Sequence, residues 1–381
     1  MKRIVFFILI VLSALLLIFL FAALFQMTET DESEIDPNSP PVPEFKDHII
    51  QSGLFGPLYV STIDLDQDSD NDILATIFHE NKVVWYENRG NKNFQEHVID
   101  NDCKQAACVH GTDLDNDGDL DIIASSVVEG IFYYKNLGNN YFEQFPLNES
   151  LVDCFIIIPV DVNHDNLIDI VAAQRTNITV LWINQGNFFF TRHTLTDNPN
   201  MVRYVCSADL DNDQDVDIAA ISVNGYIFWL ENQGFVNFSQ HNIESGYMGG
   251  HGIYACDFDN DDDIDIITCA SENNEVNWFE NNGSGNFSKN DIDTQTLDPG
   301  YVHCSDLNNN GFVDIIGMSF EFKQLFWWQH LENHSCIRHI IHEDYAGTMC
   351  TTGDIDNDGD MDIVASDYLN GFIYWWENLL I

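Results

Sequence analysis

The stretch Asp113-Leu-Asp-Asn-Asp-Gly-Asp-Leu-Asp121, followed by Ile122 and Ile123, recurs along most of the chain and limits what it can fold into. Its seven copies begin at Asp64, Asp113, Asp161, Asp209, Asp257, Asp306 and Asp354, spaced by 48 or 49 residues. A fixed period of that length marks stacked or radially arranged supersecondary units, each too small to bury a core alone.

Comparing the copies separates side chains that do chemistry from those that do not. Positions 1, 3, 5 and 9 always carry a side-chain oxygen. They are Asp64, Asp66, Asp68 and Asp72; Asp113, Asp115, Asp117 and Asp121; Asp161, Asn163, Asp165 and Asp169; Asp209, Asp211, Asp213 and Asp217; Asp257, Asp259, Asp261 and Asp265; Asp306, Asn308, Asn310 and Asp314; and Asp354, Asp356, Asp358 and Asp362. Position 7 is usually Asp but is Leu167 in the third copy and Phe312 in the sixth, so it offers only its carbonyl. Side-chain oxygens at 1, 3, 5 and 9 with a main-chain oxygen at 7 reproduce the first part of an EF-hand loop, in which a hard cation gathers oxygens from a tightly curled chain. Position 6 must curl most sharply, and Gly118, Gly311, Gly359, Asn166 and Asp262 suit a left-handed turn, whereas Ser69 and Gln214 suit it less. Asp and Asn are also common in ordinary surface turns. Such a turn needs one or two of them, while several carboxylates within nine residues repel one another unless a cation compensates. The chain is therefore expected to bind up to seven Ca²⁺ ions. The sixth loop, with only Asp306 and Asp314 as carboxylates, is expected to bind most weakly.

Composition agrees with that placement. There are 62 acidic and 14 basic residues, a net charge of -48, and 31 of the acids lie in the seven loops. Such a balance argues against nucleic acid or anionic lipid as a partner of the folded part.

Lys2 and Arg3 precede an apolar run from Ile4 to Phe25 interrupted only by Ser13. As a helix it would rise about 33 Å, enough for a hydrocarbon core of about 30 Å. We expect a signal anchor over residues 1–27 with the rest outside the cytoplasm, or a secreted protein if the segment is cleaved. Residues 28–44, charged and rich in proline, read as a spacer. Six Asn-x-Ser/Thr sequons, at Asn148, Asn177, Asn237, Asn282, Asn286 and Asn333, fit an extracytoplasmic location. Of the nine cysteines, Cys103 and Cys108 are close enough in sequence to be bridged; Cys206, Cys256 and Cys304 recur before the loop as expected buried thiols.

From residue 45 onward each unit reads as four short strands, as in His251 to Cys256, Asp265 to Ala270, Val276 to Glu280 and Phe287 to Ile292. The third strand carries Trp85, Tyr133, Leu181, Trp229, Trp278, Trp327 or Trp375 at one phase, which suits packing between neighbouring sheets. The fourth often reads Phe-x-x-His-x-aliphatic, and the same pattern precedes the first loop as Phe45 to Ile50. The last unit stops after its third strand. The chain thus begins with the strand its end lacks, which predicts an all-β, seven-bladed β-propeller of four-stranded blades closed by residues 45–50. His48, His97, His193, His241 and His339 fall on outer strands of different blades and are expected to face solvent rather than share a metal.

Units such as Ala208-Asp-Leu-Asp-Asn-Asp-Gln-Asp-Val-Asp-Ile218 with Phe228-Trp-Leu-Glu-Asn-Gln-Gly234 resemble the FG-GAP/VCBS repeats of cell-surface proteins, and are similar to those of integrin α-subunit propellers. The resemblance covers residues 45–381 and implies a calcium-bearing propeller used in adhesion or recognition, with ligands at loop positions 1, 3, 5 and 9. The chain departs from integrins in lacking Phe-Gly and Gly-Ala-Pro signatures and in carrying a loop in every blade.

In such a ring the acidic loops share one face, and variable connections form the other, where recognition commonly resides. First strands bring Tyr59, Arg203, Tyr204, His251 and Tyr301 towards that mouth as candidate ligand-binding residues; they equally suit a plug for the channel. The expected function is a binding or adhesion module for an extracellular protein or glycan, with no catalytic residues. An extracellular polysaccharide lyase or hydrolase is the alternative, which for glycoside hydrolysis requires two facing carboxylates at the axis.

Overall fold

The structure, a computed structural model, describes residues 42–148, 152–175, 179–196, 201–234 and 236–380. The apolar run Ile4 to Phe25, most of the spacer and Asn177 lie outside the described residues. Among the described residues no helix is long and apolar enough to cross a membrane.

Seven antiparallel sheets of four strands each follow one another along the chain. Blade 4 is representative: inner strand Val202–Ala208, second strand Asp217–Ser222, third strand Tyr226–Asn232 and outer strand Phe238–Ser245. In every blade the acidic loop joins the inner strand to the second. Blade 7 is composite, with Met349–Gly353, Asp362–Asp367 and Phe372–Asn378 completed by Phe45–Ser52 from the other end of the chain. Phe45 lies opposite Asn378 and His48 opposite Trp375. The predicted closure is the observed one, and it leaves the third strand of blade 7 without an open edge.

Burial explains the strand sequences. All six residues of each second strand are buried, as in Asp217–Ser222, because this strand has a neighbour on both sides and a blade against each face. A strand buried on both faces reads as a continuous apolar run rather than an alternation. The third-strand aromatics fill the wedge between blades: Trp85, Trp327 and Trp375 are each 1% exposed. The opening Phe of an outer strand packs edge-on against the indole of the preceding blade, Phe45 on Trp327 at 6.5 Å and Phe94 on Trp375 at 6.3 Å.

Two expectations need correction. The outer-strand histidines do not simply face solvent. His48, His97, His241 and His339 stack on the tryptophan directly across the strand, Trp375, Trp85, Trp229 and Trp327, at 4.6, 4.6, 4.9 and 4.8 Å. His193 faces Leu181 in register, so it has no indole to cover. Nor are Cys103 and Cys108 bridged, since both are buried thiols. The Cys108 thiol donates to the Ile157 carbonyl at 3.6 Å, which turns it towards blade 3.

Candidate functional site

The acidic loops share one backbone design. In blade 1, Asp64 accepts the N–H of Asp68 at 2.9 Å and of Ser69 at 3.0 Å, and Asp68 accepts that of Asp70 at 3.0 Å. Asp72, at position 9, accepts Leu65 N–H at 3.1 Å and Asn88 N–H at 2.7 Å, tying the loop to the third strand. Position 6 is left-handed in all seven loops, including Ser69 at φ 78° and Gln214 at φ 75°. Position 4 is left-handed as well, from Gln67 at 60° to Asn357 at 61°, a second turn that its frequent Asn had not disclosed.

The carboxylates at positions 1, 3 and 9 converge in five blades: Asp64, Asp66 and Asp72; Asp113, Asp115 and Asp121; Asp209, Asp211 and Asp217; Asp257, Asp259 and Asp265; Asp354, Asp356 and Asp362, with an oxygen of each within 4.8 Å of the others. One oxygen of Asp115, Asp211, Asp259 and Asp356 is buried without a hydrogen-bond partner. Burial, together with the adjacent position-5 carboxylate, raises the pKa of Asp66, Asp211, Asp259 and Asp356. Burial likewise pushes Asp72, Asp217, Asp265 and Asp362 up to about 7. Hard oxygen donors, an orphaned oxygen and mutual repulsion are a donor set that fits a divalent cation such as Ca²⁺. In blades 3 and 6 position 3 is an amide, and its oxygen is already used: Asn163 accepts Asp165 N–H at 3.0 Å and Asn308 accepts Asn310 N–H at 3.2 Å.

Blade 2 differs. Where blades 1, 4, 5 and 7 place Glu87, Glu231, Glu280 and Glu377 on the third strand, it places Lys135. The Lys135 ammonium pairs with Asp115 and with Asp117, the latter at 3.2 Å, so this loop carries its own cation.

Two sets of amides stitch the loops into a ring, and sequence reasoning missed both. Asn88 donates to Asn71 O at 3.1 Å in its own blade and to Ile355 O at 2.8 Å in blade 7. Asn184, Asn232, Asn281 and Asn378 repeat this bridge to the blade before. Position 4 reaches the other way: Gln67 donates to Gly118 O, Asn116 to Asn166 O and Asn260 to Gly311 O. The repeated Glu-Asn after the third-strand aromatic was the available signal for the first set.

The candidate ligand residues separate into two groups. Tyr59, Tyr204 and Tyr301 line an axial channel of about 450 Å³. With them stand Tyr254, His110 and His303, which the sequence reading had not included. Tyr59 and His110 share a hydrogen bond of 3.0 Å, and Tyr254 lies edge-on to His303 at 4.8 Å. Burial pushes both His110 and His303 down to about 4, so they are neutral at pH 7. No Asp or Glu is among the lining residues. Arg203 and His251 are not part of that lining. Both precede the lining positions on their strands, towards the face opposite the acidic loops, and His251 stands edge-on to Phe320 at 5.9 Å.

A closed seven-bladed ring with an acidic loop in every blade defines a repeat propeller, and comparison with known proteins agrees. Residues 64–124, 161–220, 209–268 and 306–365 match the FG-GAP-like repeat, together more than half of the chain. The chain belongs to the FG-GAP-like repeat family. No curated protein matches it in sequence. Among solved structures, it is similar to two crystal structures of BBS1N in complex with ARL6DN, one soaked with mercury and one with lead. Each is 12% identical, and the alignments cover 88% of this chain and 97% of that one with TM-scores of 0.61 and 0.62. At that identity the likeness is one of fold.

Proposed function

We propose that this protein is an extracytoplasmic binding module, held at a membrane by its N-terminal apolar segment, stabilised by up to seven Ca²⁺ ions, and engaging a protein ligand through the face opposite the acidic loops without turnover. The supporting observation is where apolar side chains are left exposed. Phe55, Val128, Val152, Met201, Met248, Leu297, Phe322 and Leu369 all stand on the connections of that face. Phe55 and Leu369 are 65% and 71% exposed. Phe55 stacks on His79 at 4.4 Å, and the Tyr368 hydroxyl meets His79 at 2.8 Å, giving an aromatic ridge where blade 7 meets blade 1.

Eight exposed apolar groups stand on this face, against Leu137, Tyr141, Phe189 and Leu379 at the acidic-loop end, and the larger set favours association with another surface. Methionine, leucine and valine give a sugar ring little to stack on, whereas aromatic and methionine side chains are enriched in protein interfaces. A related fold, BBS1N, is seen in complex with ARL6DN, which makes a protein ligand a reasonable expectation for this ring too. Calcium in this reading is structural, holding loops that otherwise repel themselves apart.

The test is an array of extracellular proteins and glycans probed with the full chain in detergent micelles, with Ca²⁺ or with chelator. Binding to a protein should be lost in Phe55→Asp and Leu369→Asp while the fold is retained. Binding that survives both and is lost on changing the turns of the acidic-loop face instead would place the ligand elsewhere.

A further inference from the structure

The most unusual charges among the described residues are two cations that pair with no described carboxylate. In a chain of 62 acidic and 14 basic residues, a lysine or arginine seldom lacks a carboxylate nearby. Lys46, Lys82, Arg89, Lys92, Lys104, Lys135, Lys289 and Arg338 each form an ion pair. Among the described residues Arg175, Arg192, Arg203 and Lys323 form none. Arg192 and Lys323 are exposed, so water solvates them. Arg175 and Arg203 are partly buried, and neither guanidinium has a hydrogen-bond partner among the described residues.

The two also lie within electrostatic reach of each other and of His251. Burial first, then the positive charges of Arg203 and Arg175, push His251 down to about 3. Burial, and to a lesser degree Arg175, lowers the pKa of Arg203, opposed by neighbouring Tyr204. The His251 Nδ1 atom is buried without a partner. Phe155 lies beneath the Arg175 guanidinium at 4.6 Å, and Phe320 stands beside His251. Blades 3 and 6 thus contribute aromatic walls around the donors of blades 3 to 5, of which His251 reaches the Gly300 backbone and the two guanidiniums reach no acceptor among the described residues. Holding two guanidiniums together and partly desolvated is unfavourable unless an anion joins them, and a guanidinium fork matches a carboxylate in geometry as well as charge.

We propose that Arg175, Arg203 and His251 form a receptor for a carboxylate, and that the occupant is an acidic side chain of a protein partner docked on the apolar face around it. This rests on the reading of that face as the binding surface. Charge complementarity selects the acidic chemistry, and Met201 and Met248, on connections of the same face, select a protein rather than an acidic polysaccharide.

The full chain in detergent micelles, with Ca²⁺, is used to select random peptides displayed on phage, and the enriched peptides are measured against variants. The expected peptides carry Asp or Glu beside apolar residues. They should bind Arg203→Gln and Arg175→Gln at least tenfold more weakly and Lys323→Gln unchanged. Arg175→Gln is a second, independent variant on another blade, so it reports even if Arg203→Gln fails to fold. Polygalacturonate should compete only at low ionic strength; if it binds more tightly than the peptides, the protein assignment is overturned. Peptides that bind both arginine variants equally but fail on Leu369→Asp overturn the carboxylate receptor and leave the face intact. No enrichment, or peptides indifferent to Leu369→Asp, overturn both. For Asp197, six residues before Arg203 and outside the described residues, Asp197→Asn should leave binding unchanged; a tenfold gain would make Asp197 the occupant and overturn the proposal.

Discussion

His48, near the start of the folded chain, lies flat on Trp375, near its end, with ring centroids 4.6 Å apart and planes 27° from parallel. Its Nε2 also reaches Glu377 at 2.7 Å, where Lys92 of blade 1 arrives as well at 2.5 Å. A single carboxylate therefore gathers the closing strand, the strand it closes and the next blade. Burial tends to raise the Glu377 pKa, but the hydrogen bonds from Lys92 and His48 hold it at about 2.

Loss of the stack should loosen the ring. His48→Ala is expected to cost about 1–2 kcal/mol, an aromatic pair plus a charge-assisted contact. His193→Ala, whose cross-strand partner is Leu181, should stay within about 0.5 kcal/mol. Urea midpoints of the two variants decide it, and equal shifts would mean that stacking contributes nothing beyond strand burial.

The amide bridges between blades should matter more. Asn378 donates to Leu307 O at 2.8 Å and to Met361 O at 3.1 Å, so Asn378→Ala strands two buried carbonyls. At about 1–3 kcal/mol for each unsatisfied group, a loss of about 2–5 kcal/mol is expected. Among the described residues the Asn136 amide donates only within its blade, to Leu120 O, and Asn136→Ala should cost about half as much. Thermal melts that rank the two in the opposite order would refute the stitching role.

Chelation should not loosen all loops alike. Lys135 neutralises part of blade 2 by itself, so amide exchange at residues 113–121 should rise less when Ca²⁺ is removed than that at 64–72 and 354–362. Exchanging the charges tests the cause: Lys135→Glu should make blade 2 as sensitive as blade 1, and Glu87→Lys should make blade 1 less so. Uniform exchange in all loops, with or without EDTA, would show that no cation holds them.

Acid should destabilise the ring through its channel. His110 and His303 titrate at about 4 when folded, below the ordinary value of 6.5. The unfolded chain then binds more protons between these values, so stability falls as pH drops from about 6.5 towards 4. Glu377, depressed to about 2, adds stability that is present above 4.5 and lost as pH falls towards 2. With saturating Ca²⁺ to keep the loop carboxylates ionised, melting temperature against pH should decline less steeply between 6.5 and 4 in His110→Gln with His303→Gln, and an unchanged slope would remove these histidines as the cause.

Much of this was readable beforehand for a plain reason. The loop is nine contiguous residues, so its cluster of oxygen donors and its left-handed position 6 are local properties. Ring closure was readable too, because the same outer-strand pattern appears once too often at one end and is missing at the other. Tyr59, Tyr204 and Tyr301 were named because first strands bring them to the mouth, yet Tyr254, His110 and His303 were passed over, being two residues further along strands where no repeat draws attention to them.

The chain's period and its acidic spacing by themselves determined the blade, the number of blades and the positions that would hold a cation. Only the tertiary structure decided which residues of different blades meet. Asn88 finds Ile355 across 267 residues, and His48 finds Trp375 across almost the entire chain. Arg175, Arg203 and His251 share a neighbourhood because three blades converge there. Such pairings depend on how the sheets twist and stack around an axis, a consequence of packing the whole ring that no segment of it encodes alone.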